Sequence, residues 1–182
     1  RNFGITSLTE TDYNAATALG GITKGVSNLE LTGAYAAIAN GGIYTKPVFF
    51  TKILDHNGKV LLENEPQTKR VLKDSTAFLL TDALAESMES SRMYASPGVN
   101  LNSTSVPANI PGMSNAGKSG TTTSNVDIWF VGYTPYYTAG IWSGCDDNQK
   151  ISAIGSSTSY HKRIWKQIMA RAHEGLADTG FP

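Results

Sequence analysis

The chain has 182 residues, 40% of them hydrophobic, which suits one globular unit with a core of its own. Its 15 basic and 15 acidic residues cancel, so no positive field draws it to a phosphate backbone, and nucleic acid is not an expected partner. No run approaches the ~20 apolar residues that cross a bilayer, and the N-terminus lacks a signal-peptide pattern, so any membrane anchor is expected outside this chain.

A short helix is expected over Thr11–Ala18, ended by Gly20-Gly21, where left-handed backbone carries little penalty. Ser27-Asn28-Leu29-Glu30 then reads as a capping box. Leu31, Ala34, Tyr35 and Ile38 follow at helical spacing until Asn40-Gly41-Gly42. Val48–Leu54 and Lys59–Glu63 flank His56-Asn57-Gly58, and Asn-Gly is a strong hairpin signal. Asp74 is expected to cap a further helix that ends near Ser90 and buries Phe78, Leu79, Leu84 and Met88. Ser91–Asn115, rich in Ser, Asn, Pro and Gly, sustains no period and is expected to be loop.

Beyond it, residues 115–123, 126–133 and 137–143 form β-branched or aromatic runs separated by short turns, the pattern of a three-stranded antiparallel meander. The middle run, Asp127-Ile128-Trp129-Phe130-Val131, is apolar on both faces, as a central strand covered by helices on each side requires. Ser159–Ala172 places Ile164, Trp165, Ile168 and Met169 on one face of a closing helix. Helices, hairpin, helix, meander, helix is an α+β order.

Cys145 is the only cysteine, which excludes an internal disulfide and a Cys-based zinc site. His56, His161 and His173 share no metal-ligand spacing and read as structural or surface residues, so neither metal nor cofactor is expected. An opening of Arg1-Asn2-Phe3 in place of Met carries the expectation of a piece of a longer polypeptide.

One stretch fits two motifs. Gly112 to Ser119 matches the phosphate-loop pattern, while Lys118-Ser119-Gly120-Thr121 matches the Lys-Ser/Thr-Gly element of penicillin-recognising enzymes. A phosphate loop needs a strand before it and a helix after it, because the helix N-terminus and successive N–H groups hold the phosphates. Pro107 and Pro111 interrupt the upstream stretch, and Gly120-Thr121-Thr122-Thr123 favours strand over helix. The context therefore favours the second motif. On a strand edging a site, Lys118 would supply positive charge, Ser119, Thr121 and Thr122 hydroxyls for a substrate carboxylate, Gly120 close ligand approach, and the Thr121 N–H an oxyanion-hole donor.

The surroundings strengthen that choice. Gly25-Val26-Ser27-Asn28-Leu29-Glu30-Leu31 through Asn40-Gly41-Gly42, then Gly117 to Thr122, Asp127 to Pro135 and Ala139 to Gly144 resemble stretches of bifunctional (class A) penicillin-binding proteins, over roughly residues 3–170. The resemblance implies a β-lactamase/transpeptidase-like fold, of which residues 1–182 would be the C-terminal portion of one domain. It also implies an extracytoplasmic serine acyltransferase acting on D-Ala-D-Ala stem peptides of peptidoglycan, open to acylation by β-lactams. In that family the nucleophile lies in Ser-x-x-Lys and a second serine in Ser-x-Asn, both N-terminal to the Lys-Ser/Thr-Gly strand.

Here no Ser-x-Asn occurs. Ser159-Tyr160-His161-Lys162 satisfies Ser-x-x-Lys but follows the Lys-Ser-Gly segment, and it reads as coincidence. Both motifs are therefore expected upstream of Arg1, in a partner segment that would also lead to the membrane anchor. A noncatalytic cell-wall peptide-binding module of the same fold is the alternative, and a phosphate-loop nucleotide-binding protein the remote one.

Overall fold

Asn14 starts and Gly20, in the left-handed conformation, ends the second of two short turns near the N-terminus. The computed structural model describes residues 1–89, 92–96, 99–151 and 159–181. In place of the helix expected over residues 11–18, it has two 3-10 turns, Glu10–Asp12 and Ala15–Leu19. Asn14 separates them, because its side chain accepts from the Ala16 N–H and so competes with a helical turn. The buried Asp12 carboxylate ties the segment together by accepting from the N–H and hydroxyl of both Thr9 and Thr23.

Helix α1 (Asn28–Ala39) starts as its sequence requires, with the Ser27 hydroxyl accepting from the Glu30 N–H and the Glu30 carboxylate reaching back to the Ser27 N–H. It stops at Asn40, after which Gly41 and Gly42 take positive φ. Strands β1 (Ile43–Thr45), β2 (Lys52–Leu54), β3 (Val60–Glu63) and β4 (Thr68–Arg70) follow. β2 and β3 form the expected hairpin, closed by Asp55, whose carboxylate accepts from the N–H groups of Asn57 and Lys59. β1 and β4 pair around that hairpin, a ladder too short to show periodicity.

Helix α2 (Asp74–Glu89) ends near the expected place but buries Ala77, Thr81 and Met88, while Phe78 and Leu79 are exposed. Asp74 is its first residue, and its carboxylate pairs with Arg70. The expected loop at residues 91–115 is corrected in part, since β5 (Arg92–Ser96) and β6 (Val99–Asn102) form an antiparallel pair. The remaining expectations for Ser90, Ser91, Pro97 and Gly98 lie outside the described residues.

The meander forms as read: β7 (Ala116–Thr121), β8 (Asp127–Tyr133) and β9 (Thr138–Gly144), antiparallel, with β8 central. Helix α3 (Tyr160–Ala172) closes the fold. Register sorts the side chains of β8. Phe130 faces α3, meeting Trp165 edge-on with ring centroids 5.2 Å apart. Tyr133 faces α1, meeting Tyr35 at 6.5 Å.

The sheet is thus sandwiched between α1 and α3, with α2 along its β7 edge, an α+β arrangement. Met88, Ala108, Ile110, Met113, Phe130, Trp165 and Met169 make the core on the α3 side. The expected buried face of α3 is half right. Trp165 and Met169 are inside, Ile164 and Ile168 are exposed, and His161 and Lys162 occupy buried places instead.

Candidate active-site strand

β7 is an edge strand, so among the described residues one side of its backbone has no neighbouring strand. Gly117 lets it lie against the core, because a Cβ there would meet the Phe130 ring at 2.7 Å. The outward Gly117 carbonyl accepts from the Ser87 hydroxyl of α2 and the Ser105 hydroxyl, at 3.3 and 3.4 Å. Antiparallel ladders alternate inward and outward pairs, so Ser119 and Thr121 turn their N–H and C=O groups to this same free edge. The Thr122 N–H, of opposite parity, donates to the Asp127 carbonyl at 3.0 Å, which fixes that assignment.

Lys118 is in register with Val131 and Gly140 and so lies on the α1 face of the sheet. It is exposed, and its ammonium curls along the edge to the Ser119 carbonyl at 2.9 Å. The Ser119 hydroxyl lies 2.8 Å from the Thr104 hydroxyl. Gly120 stands opposite Trp129, and a Cβ there would come within 3.3 Å of the Trp129 Cβ. Thr121 ends the strand exposed.

The fold thus gathers Lys118, Ser119, Gly120 and the Thr121 backbone along one open edge. Thr122 departs from it, since its hydroxyl accepts from the Asp127 N–H at 2.8 Å and closes the turn into β8. Trp129 is half-buried beside Trp142, ring centroids 6.3 Å apart, while Trp142 Nε1–H donates to the Asp127 carboxylate. Among the described residues no cluster of His, Cys, Asp and Glu could hold a metal.

The residues around this edge were less legible. Ser103, Thr104 and Ser105 form a hydroxyl strap against it, with the Ser103 hydroxyl donating to the Ser87 carbonyl. The only signal for them was the run of three hydroxyls ahead of the strand. Lys162 of α3 reaches the strap, its ammonium donating to the Thr104 carbonyl at 2.7 Å. Burial, and then the charge of Lys118, push its pKa below the usual lysine range.

Lys118 and Ser119 sit within a strand, and a single 3-10 turn follows, not the helix that a phosphate loop requires. The model of the penicillin binding protein transpeptidase domain matches residues 2–170. The chain belongs to that family.

Among its relatives, penicillin-binding protein 1A of Clostridium botulinum (strain Langeland) is 36% identical over 162 residues, covering 89% of this chain and 18% of the relative. Penicillin-binding protein 2D of Bacillus subtilis is 37% identical over 186 residues, covering all of this chain and 25% of the relative. The chain therefore spans about a fifth of the length of the curated relatives it matches. The solved penicillin-binding protein PonA1 of Mycobacterium tuberculosis superposes with a TM-score of 0.80 at 25% identity, covering 100% of this chain and 50% of that one. A second structure of PonA1, in complex with penicillin V, gives 0.79 at 24%. The α+β arrangement of this chain is thus the transpeptidase fold over that shared length.

Proposed function

We propose that this chain is the recognition edge of a peptidoglycan D,D-transpeptidase. In this reading it supplies Lys118-Ser119-Gly120 and the Thr121 N–H to a serine nucleophile carried by an upstream segment of the same protein. The observation that carries the reading is the open edge of β7, with its outward backbone groups beside the Lys118 ammonium and the Ser119 hydroxyl. Similarity to proteins named as penicillin-binding, one of them solved with penicillin V, supports it further.

The chemistry divides between the two parts. The upstream serine oxygen attacks the carbonyl of the penultimate D-Ala. The bond to the terminal D-Ala breaks, and that residue leaves with a proton as the free amino acid. The amine of a neighbouring stem peptide then attacks the ester, forming the cross-link and returning a proton to the serine. Lys118 and the Ser119 and Thr121 hydroxyls bind the substrate carboxylate, Gly120 lets the ligand approach the backbone, and the Thr121 N–H stabilises the oxyanion; Thr122, expected to share that role, instead holds the turn into β8. A β-lactam carries a carboxylate and a reactive amide in the same relation, so it acylates the same serine. The reaction belongs on the extracytoplasmic face of a bacterial plasma membrane, with the anchor in the upstream segment.

The test is covalent labelling of the complete protein by a fluorescent penicillin. The complete protein is expected to be labelled, the Lys118→Ala variant to lose at least about 100-fold in acylation rate, and residues 1–182 alone to remain unlabelled. Undiminished labelling of the Lys118→Ala variant overturns the role given to this edge.

A further inference from the structure

Lys162 is a buried amine without a counter-charge. The residue is only 8% exposed, and no carboxylate pairs with it among the described residues. Its partner is a neutral oxygen, the Thr104 carbonyl at 2.7 Å. An ammonium taken out of water on such terms destabilises the fold relative to a hydrophobic side chain of similar length, so stability alone does not account for a lysine here. The neighbouring Lys118 charge makes the position less favourable still.

What this lysine holds is specific. Thr104 is clamped by its carbonyl on one side, while its hydroxyl touches the Ser119 hydroxyl at 2.8 Å on the other. Its neighbours Ser103 and Ser105 are fixed to the Ser87 and Gly117 carbonyls. In the Thr104–Ser119 contact either oxygen could donate. Only if Thr104 donates is the Ser119 proton released to point at a bound anion.

We propose that Lys162 is a positioning residue for Ser119: by anchoring the Thr104 carbonyl it sets the Thr104 hydroxyl to donate to Ser119, aiming the Ser119 proton at the substrate carboxylate. This role rests on the transpeptidase reading and deepens it, giving the carboxylate subsite a second lysine that never touches the substrate. The Ser-x-x-Lys match at residues 159–162 then reflects a lysine required for this strap, not a nucleophile motif.

The experiment compares acylation of the complete protein by benzylpenicillin and by its methyl ester, which lacks the anionic carboxylate. For Lys162→Met the apparent dissociation constant for the acid is expected to rise about tenfold, with the limiting acylation rate constant and the ester kinetics within about twofold of wild type. Lys162→Arg, which keeps a cationic donor, is expected to restore most of the acid affinity. Thr104→Val leaves the Lys162 anchor intact and removes only the hydroxyl, so it should reproduce the acid-specific loss even if Lys162→Met folds poorly. Acid and ester weakened equally in both variants, or neither weakened, overturns the positioning role. A wild-type protein that no penicillin acylates overturns the transpeptidase reading and this role with it.

Discussion

The Tyr133 hydroxyl of β8 and the Thr81 hydroxyl of α2 lie 2.9 Å apart, both buried, and form a polar link between the sheet and the helix along its edge. Burial pushes the Tyr133 phenol up to about 12, so it stays a neutral donor or acceptor across the physiological range. The two halves of the pair are unequal. Without its partner, Thr81 can turn its hydroxyl to a carbonyl one turn back in α2, whereas a Tyr133 hydroxyl without Thr81 stays unpaired in the core. Tyr133→Phe is therefore expected to destabilise by about 1 kcal/mol and Thr81→Val by about 2 kcal/mol. The double variant should fall short of the sum by about 1 kcal/mol, as read from denaturant unfolding. Additive effects would show that the two hydroxyls are not coupled.

Two glycines on adjacent strands separate packing from recognition. A Cβ at Gly132 would meet Trp165 Cζ2 at 2.7 Å and the Ala116 carbonyl at 3.0 Å, and the backbone oxygen cannot move aside without breaking the β7–β8 ladder. Gly132→Ala is expected to lose about 3 kcal/mol of stability. At Gly120 the nearest atom would be the Trp129 Cβ at 3.3 Å, a contact that a few tenths of an ångström relieves. Gly120→Ala should therefore cost under about 1 kcal/mol in a thermal melt. If the proposed role of this edge holds, it should nonetheless slow penicillin acylation of the complete protein at least about tenfold, because the added methyl would stand where the ligand is proposed to approach the strand. Normal acylation by Gly120→Ala would remove the close-approach role of this residue.

The same contrast explains how much of the molecule its sequence discloses. The capping box at Ser27, the meander from Ala116 to Gly144 and the Lys118-Ser119-Gly120 edge were legible because each is written in neighbouring residues with a fixed period or motif. Helix faces were not. Leu79 and Ile168 satisfy helical periodicity yet are exposed, while His161 and Lys162 are buried, since burial depends on what packs against the helix. Part of the apolar surface that periodicity assigns to a core, such as Leu79 and Ile168, stays exposed among the described residues. The hydroxyl strap at residues 103–105 was illegible for another reason. Its bonds to Ser87, Gly117, Ser119 and Lys162 join positions 12 to 58 residues apart and leave no local pattern.

His161 gives the fold a pH dependence of known sign. It is almost fully buried in α3, and neither ring nitrogen has a partner among the described residues. Burial, and then the charge of Lys162, hold its pKa down to about 4 against an ordinary value of 6.5. The folded state thus keeps the ring neutral while the unfolded chain takes up a proton. Stability is intact above pH 6.5 and is lost progressively as pH falls through about 4. At pH 5 the loss is on the order of 2 kcal/mol. Glu30 does not interfere. The Thr6 hydroxyl, then the Thr6 and Ser27 N–H groups, hold its carboxyl down to about 2 from 4.5, so its stabilisation is lost only below that ordinary value. His161→Phe fills the same space and breaks no recorded hydrogen bond. In melts, the stability difference between wild type and variant should shift in favour of the variant by on the order of 2 kcal/mol between pH 7 and pH 5, the wild type losing stability and the variant keeping most of its own. Parallel curves would place the ring in a polar, protonatable setting and remove the basis of this prediction.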